Sequence, residues 1–179
     1  MNKAIIPLAI FLALSGLFLV MLDRMNKGEY NPRDVPTEFI GRTAPDFKLP
    51  DLFESTKTVQ PADYRGKTWL LNVWGTWCPE CWREHEFLLS LKQRGVTIIG
   101  INWRDDADEA KAMLAKMGNP FEHVGFDPNS QAVIEYGVYG APETFLIDAD
   151  GTICQKHAGA LTESFWQEKF VPHLEGCRL

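Results

Sequence analysis

One stretch constrains the fold of this chain more than any other: an apolar run that leads directly into two closely spaced cysteines. The run at residues 68–74 stops at Gly75, and the sequence Cys-Pro-Glu-Cys follows after two more residues. This pattern predicts a buried strand, a short turn, and a helix whose first turn carries Cys78 and Cys81. Pro79 suits that first turn because its fixed φ fits a helix and its missing N–H is not needed there.

The predicted position of the cysteines makes disulfide exchange their expected chemistry. A helix N-terminus offers unpaired N–H groups and a partial positive charge, which stabilise the thiolate that attacks a disulfide. We therefore expect Cys78 to be the more acidic and more exposed thiol, and Cys81 to resolve the mixed disulfide that Cys78 forms. Two intervening residues allow the sulfurs to join and part with little backbone movement.

Other kinds of Cys-x-x-Cys site fit the sequence less well. A structural zinc site needs a second cysteine pair, and Cys154 and Cys177 are too isolated to supply one. A c-type haem attachment site needs His after the second cysteine, where this chain has Trp82. A peroxiredoxin carries Pro and Thr before its reactive cysteine, at positions held here by Leu71 and Gly75. Redox exchange is therefore the interpretation that we carry forward.

Composition sets the class of the protein. The chain has 179 residues, 45% of them hydrophobic and 23% charged, which is enough for one globular domain with a core. Its net charge is −6, and no Lys/Arg cluster follows the first few dozen residues. The charge pattern therefore argues against a nucleic-acid partner.

The N-terminus predicts a membrane anchor. Residues 4–22 carry no charge, and a run of that length can span a bilayer. A cleaved signal peptide is the alternative, but the only weak cleavage site, at residues 13–15, would cut the run near its middle. We expect an uncleaved anchor at 1–22 and a polar, proline-containing linker at 23–40. The flanking charges do not fix the orientation of the anchor.

The remaining residues, 41–179, predict one α/β domain. Two short edge strands are expected within 43–50 and 56–59. Strands and helices then alternate, and a closing hairpin and a final helix at 162–174, capped by Thr162, follow. The order predicts a three-layer α/β domain. The expected later elements are strands at 96–103, 121–126, 140–148 and 152–157, and helices at 106–117 and 130–136.

This order resembles a thioredoxin fold with extra N-terminal strands, as in the TlpA-like and redoxin branch, over residues 41–175. The sequence at residues 77–81, Trp-Cys-Pro-Glu-Cys, is similar to the active site of thioredoxin-like proteins. The sequence at residues 137–145 is similar to the loop that carries their cis-proline. With Glu84 and His85 after the second cysteine, these motifs most resemble the thiol:disulfide interchange proteins of cytochrome c maturation, the CcmG/DsbE family. The resemblance implies a cis bond at Pro142, beside the disulfide.

The resemblance also implies two acidic active-site residues, Glu84 and Glu143. Thioredoxins carry a buried Asp where this chain has Asn72, and an amide cannot titrate. We expect Glu84 to approach Cys81 from one side and Glu143 to approach from the other, so that they act as a pair in proton transfer. The alternative, that each is a solvated surface charge, stays open.

By resemblance, the chain is a membrane-anchored thiol:disulfide oxidoreductase that faces the periplasm from the inner membrane and needs no cofactor. Its implied client is the haem-attachment cysteine pair of apocytochrome c, directly or through another maturation protein. Its implied reductant is a DsbD- or CcdA-type membrane protein. Two alternatives stay open: a TlpA-like reductase with another client, and a Cu(I) metallochaperone that uses Cys78 and Cys81. Whether Cys154 and Cys177 pair also stays open.

Overall fold

The computed structural model of the chain describes residues 5–26 and 39–177, and the chain separates into two compact units, Met1–Val35 and Pro36–Leu179. The first unit contains helix α1 (Ile5–Asn26). By length and composition, Ile5–Asp23 can cross a membrane, although a cleaved signal sequence has the same properties. The predicted anchor therefore coincides with a helix, whereas most of the predicted linker, 23–40, lies outside the described residues.

The second unit alternates strands and helices in the predicted order. Its strands are β1 (Leu49–Pro50), β2 (Thr58–Val59), β3 (Trp69–Trp74), β4 (Ile98–Trp103), β5 (His123–Asp127), β6 (Glu143–Ile147) and β7 (Ile153–Ala158). Its helices are α2 (Pro79–Gln93), α3 (Ala107–Met117), α4 (Gln131–Glu135) and α5 (Glu163–Phe165). Strands β1 and β2 form a separate antiparallel pair.

A five-stranded mixed sheet in the order β5-β4-β3-β6-β7 forms the centre of this unit. Strands β3, β4 and β5 are parallel neighbours, whereas β6 runs antiparallel to β3, and β7 runs antiparallel to β6. The predicted closing hairpin is therefore confirmed. This mixed sheet with helices on both faces is the expected thioredoxin-like architecture.

The sheet is buried on both faces, and β3 and β4 are buried at every position. On one face, which we call the α2 face, helices α2 and α3 and the C-terminal helical segment cover Leu70, Trp74 and Leu146. On the other, the α4 face, helix α4 and the residues around Phe47 cover Val73 and Phe145. Successive side chains of a strand point to opposite faces, which assigns each residue of β3 and β6 to one of them.

The prediction of one regular α-helix at 162–174 is wrong. Thr162 caps it as predicted, since its hydroxyl accepts from Phe165 N–H at 3.3 Å. After α5, however, the chain forms a π-helical turn, Trp166–Phe170, and a 3-10 turn, Val171–His173. Pro172 explains the change because it has no N–H to donate and its ring collides with the carbonyl four residues earlier. The edge strand expected within 43–50 is likewise reduced to its last two residues.

Candidate active site

The turn between β3 and α2 is held by the carboxylate of Asp105, which follows β4. Its oxygens accept from the Thr76 backbone N–H at 2.6 Å and from the Thr76 hydroxyl at 2.5 Å, and Asn102 Nδ2 donates to it at 2.7 Å. Because β3 and β4 are parallel, their C-terminal ends lie at one edge of the sheet. Sequence reasoning missed this role of Asp105, although its place just after the strand that neighbours β3 indicated that it lies near the turn.

Two tryptophans flank the cysteines and remain partly exposed. The Trp77 indole N–H donates to the Trp103 carbonyl at 3.0 Å, and that of Trp82 donates to the Thr76 carbonyl at 2.8 Å. Their relative exposures are 48% and 46%. Gly75 leaves room for the Trp77 indole, which a Cβ at that position would displace. Rigid, exposed aromatic rings beside a disulfide offer contact area to a polypeptide.

Cys78 and Cys81 form a disulfide at the N-terminus of α2, with their Cα atoms 5.3 Å apart. Cys78 is the N-cap, and Cys81 N–H donates to Cys78 Sγ at 3.1 Å. The same N–H is placed to stabilise a Cys78 thiolate. The greater exposure expected for Cys78 is not seen in the disulfide form, because Cys78 and Cys81 are both buried on the α2 face, at 2% and 3% exposure.

The cis-proline expected from the sequence is present, since the Ala141–Pro142 bond is cis. Pro142 comes directly before β6, whose first residue, Glu143, pairs with Val73 near the end of β3. Strand β3 continues into the turn that carries the cysteines. The antiparallel register therefore places the cis-proline loop and the disulfide at the same edge of the sheet.

Glu84 lies one helical turn beyond Cys81, and its carboxyl group is enclosed beneath α2. Oε1 accepts from Asn72 Nδ2 at 2.9 Å, and Oε2 accepts from Leu161 N–H at 2.7 Å. The residue is only 2% exposed. Burial raises the pKa of Glu84 to about 8, against the opposing effect of these two hydrogen bonds. Glu84 is therefore a buried acid rather than a solvated surface charge.

Asn72, which stands where thioredoxins have an aspartate, acts as a hydrogen-bond donor. Its amide donates to Glu84 and also to Thr144 Oγ1 at 3.0 Å, across the β3–β6 pair. The Asn72 amide cannot titrate, but its hydrogen bond from β3 orients the Glu84 carboxyl group. A carboxyl group whose pKa lies near neutral pH, one helical turn from a thiol, can accept a proton and return it.

The structure does not bring Glu143 to the thiols, which corrects our expectation. Along β6, Glu143 shares its face with Phe145, whereas Thr144 shares its face with Asn72. Glu143 therefore lies on the α4 face, separated by the sheet from Glu84. It is 1% exposed, and its Oε2 atom lies 2.9 Å from Lys156 Nζ. The two carboxylates cannot repel each other around a shared thiolate in this arrangement.

Lys156, on β7, is the second residue that sequence reasoning missed. Its side chain is 7% exposed, and besides the ion pair its ammonium donates to the Gly137 carbonyl at 3.1 Å. Lys156 is the register partner of Phe145, so it lies on the same face as Glu143. A single lysine within a predicted strand beside the cis-proline motif was the only indication in the sequence.

The two remaining cysteines form a second disulfide between β7 and the C-terminal residues. Cys154 and Cys177 are bonded, with Cα atoms 4.8 Å apart, and no free cysteine occurs in the described residues. Asp148 lies close enough to both sulfurs to suggest a three-ligand metal site. The sulfurs are bonded to each other, however, so this group does not offer two thiolates. The described residues contain no other cluster of that kind.

Known sequences that resemble this chain include thiol:disulfide interchange proteins, as the geometry of the site indicates. The Redoxin family pattern covers residues 40–169. The Thiol:disulfide interchange protein DsbE of Vibrio cholerae is 44% identical over 177 residues, which are 98% of this chain and 96% of that protein. The protein of the same name from Escherichia coli K12 is 41% identical over 170 residues, 94% of this chain and 91% of that protein.

Solved structures agree on the fold. A Chlorobium tepidum protein, described as a candidate Thiol:disulfide interchange protein DsbE, is 31% identical, with a TM-score of 0.60 over 72% of this chain and 93% of its own. A secreted thiol-disulfide isomerase of Corynebacterium glutamicum is 22% identical, with a TM-score of 0.68 over 80% of this chain and 94% of its own. The second likeness is one of fold alone.

Proposed function

Because the chain belongs to the Redoxin family and to the DsbE thiol:disulfide interchange proteins, we propose that it reduces disulfides in client proteins during cytochrome c maturation. Thiol:disulfide exchange is the activity of the chain as a member of this family. We propose in addition the reducing direction, the client and the cellular location.

One observation carries the reducing mechanism: the Cys78–Cys81 disulfide caps α2, and the buried Glu84 lies one turn further along the same helix. In the dithiol form, the Cys78 thiolate attacks one sulfur of a client disulfide, and the other client sulfur leaves as a thiolate. Cys81 then transfers its proton to Glu84 and attacks Cys78 Sγ, which releases the second client sulfur. Glu84 returns the proton to a departing thiolate. The client gains two electrons, and Cys78 and Cys81 become a disulfide.

The client is proposed from the two motifs at residues 77–81 and 137–145. Both resemble the interchange proteins of cytochrome c maturation, and relatives of nearly the same length carry the name DsbE. Haem attachment to apocytochrome c requires a reduced cysteine pair, which exchange at Cys78 would supply directly or through another maturation protein. The backbone before Pro142 would pair with the client as an added strand.

The proposed location is the periplasmic side of the inner membrane. Helix α1 supports an anchor by its length and apolar composition. The second disulfide, Cys154–Cys177, supports an oxidising compartment, where structural disulfides persist. In such a compartment, the Cys78–Cys81 pair needs a source of electrons across the membrane. We assign that role to a DsbD- or CcdA-type membrane reductant.

A mixed-disulfide trap tests the client. With Cys81→Ala in the full chain, the attack by Cys78 still occurs but resolution cannot, so the client stays covalently bound. Cys78→Ala is the matched control, since it removes the attacking thiol and leaves the other. We expect apocytochrome c or a cytochrome c maturation protein to be recovered from the Cys81→Ala variant alone.

Other outcomes of the trap assign the chain differently. Recovery of an unrelated periplasmic thiol protein would indicate a TlpA-like reductase with another client. Recovery of no client, together with tight binding of Cu(I) to the reduced pair, would indicate a metallochaperone.

A further inference from the structure

We propose that Lys156 is a positioning residue for client docking, which acts with Glu143 to hold the loop that leads into Pro142. The proposal deepens the proposed function and rests on it, because it concerns how the site accepts a polypeptide disulfide. It also replaces the proton-transfer role that the sequence suggested for Glu143.

Each member of the ion pair binds the loop through a separate backbone group. Lys156 Nζ donates to the Gly137 carbonyl at 3.1 Å, where the loop begins. Glu143 Oε1 accepts from Tyr139 N–H at 3.0 Å, two residues further along. The two side chains are joined by the 2.9 Å contact between Nζ and Oε2. The pair therefore connects the loop to strands β6 and β7.

The ion pair of Lys156 and Glu143 is buried, which allows it to hold the loop in one position. The side chains of Lys156 and Glu143 are 7% and 1% exposed. Three aromatic rings surround the ammonium, with Nζ 5.5 Å from the ring centre of Phe39, 5.7 Å from Tyr139 and 5.1 Å from Phe145. Cation–π attraction at these distances adds to the ion pair. Removing either partner would leave a buried charge without its counter-ion.

The loop needs such support because of its own composition. Backbone hydrogen bonds from Gly137 N–H and Val138 N–H to α4 carbonyls fix only the start of the loop. Beyond them, Gly140 has open space around its Cα, so its own side chain does not restrict the backbone. Tyr139, between Val138 and Gly140, is 63% exposed. The loop ends at Ala141, whose backbone lies at the edge of the sheet where a client strand would pair. Without the ion pair, the loop would have to be ordered each time a client binds.

Steady-state kinetics of the full chain in mild detergent test the proposal with two disulfides of different size. Dithiothreitol is the electron donor that regenerates the reduced Cys78–Cys81 pair, and the rate without the chain is subtracted. One is an oxidised peptide that contains Cys-x-x-Cys-His, which must dock on the loop, and the other is a small aromatic disulfide. For Lys156→Met, we expect the KM for the peptide to rise about tenfold, the cost of ordering a loop on binding. The rate with the small disulfide and the kcat for the peptide should change much less. Lys156→Arg should restore most of the peptide KM.

Two further variants separate docking from folding. Lys156→Met/Glu143→Gln removes both charges, so it should be more stable than Lys156→Met while its peptide KM stays high. Lys111→Met is the control for loss of a lysine and should match the parent. Lys111 is a half-buried lysine on α3 whose Nζ lies 3.7 Å from an Asp108 carboxylate oxygen. An unchanged peptide KM in Lys156→Met, or equal losses with both disulfides, would overturn the proposal.

The same experiment distinguishes failure of this proposal from failure of the proposed function. A second peptide with its sequence scrambled around the two cysteines is run beside the first, and exchange is followed in both directions. If the parent does not prefer the Cys-x-x-Cys-His peptide, the cytochrome client is wrong, yet the Lys156 effect is still measured on either peptide. Exchange with neither peptide in either direction would overturn both proposals.

Discussion

The two buried carboxylates of the motifs, Glu84 and Glu143, lie on opposite faces of one sheet and differ in their partners. Glu84 is held by two neutral donors, the Asn72 amide and the Leu161 N–H. Glu143 has an ammonium 2.9 Å away and accepts from a loop N–H. Both are almost fully buried, so burial does not explain the difference between them.

The comparison shows that the partner determines what a buried acid can do. A carboxyl group with only neutral donors gains a proton readily, because desolvation penalises its charged form. That property suits the α2 face, where the thiols exchange protons. A carboxylate with a buried cation is an anchor, because separating the two charges is costly. That property suits the α4 face, where a loop must be held.

The largest expected effect is the pH dependence of stability that comes from Glu84. Its pKa is about 8 in the folded protein and near the ordinary value of 4.5 when unfolded, so folding takes up a proton between these pH values. The stabilisation is complete below pH 4.5 and is lost as pH rises through 8, by about 5 kcal/mol in total. Urea unfolding of the full chain at several pH values, followed by tryptophan fluorescence, measures this change.

Glu84→Gln is the control for that titration, since it keeps the size and one of the two hydrogen-bond acceptors and removes the charge. The free energy of unfolding of this variant should lack the fall between pH 4.5 and 8. An equal fall in parent and variant would assign the titration to other groups and remove the contrast with Glu143.

The next effect concerns the α4 face. Lys156→Met leaves the Glu143 charge buried and unpaired, so we expect the free energy of unfolding to decrease by about 4 kcal/mol. Lys156→Met/Glu143→Gln should recover much of this loss, because no charge then remains buried. If Lys156→Met unfolds at the same urea concentration as the parent, the pair is not the anchor that the geometry indicates.

A somewhat smaller effect is expected from the second disulfide, which closes a 23-residue separation on the α2 face. Cys154→Ser/Cys177→Ser should decrease the free energy of unfolding by about 3 kcal/mol, because the unfolded chain regains the entropy of the open loop. The same variant should still reduce a small disulfide, since Cys78 and Cys81 are intact. A loss of exchange at constant folding would instead link the C-terminal segment to Glu84 through Leu161.

Sequence patterns predicted the parts of the site that local rules determine. The apolar run, the turn and the helical spacing place Cys78 and Cys81 on α2, and one helical turn separates Cys81 from Glu84. The cis-proline at Pro142 followed from family resemblance, since the cis form is rare for any single X–Pro bond. These features depend on neighbouring residues or on a motif.

The missed features depend on register and long-range pairing. Both faces of the central sheet are apolar, so alternation along β6 could not show which face Glu143 occupies. Its partner Lys156 lies on another strand, and their contact follows only from the β6–β7 pairing. The connectivity of Cys154 and Cys177 is likewise not deducible from spacing alone.

The most direct test of the contrast is the resolution step itself, measured in Glu84→Gln and Glu143→Gln. The reduced full chain is mixed with an aromatic disulfide that releases a coloured thiolate, first on attack by Cys78 and again on resolution by Cys81. We expect Glu84→Gln to slow the second release about a hundredfold and to abolish its rise with pH toward 8, because the general base is lost. Glu143→Gln should leave the second release close to the parent rate. Equal second-release rates in Glu84→Gln and the parent across neutral pH would contradict the account, because the proton would then leave Cys81 without Glu84.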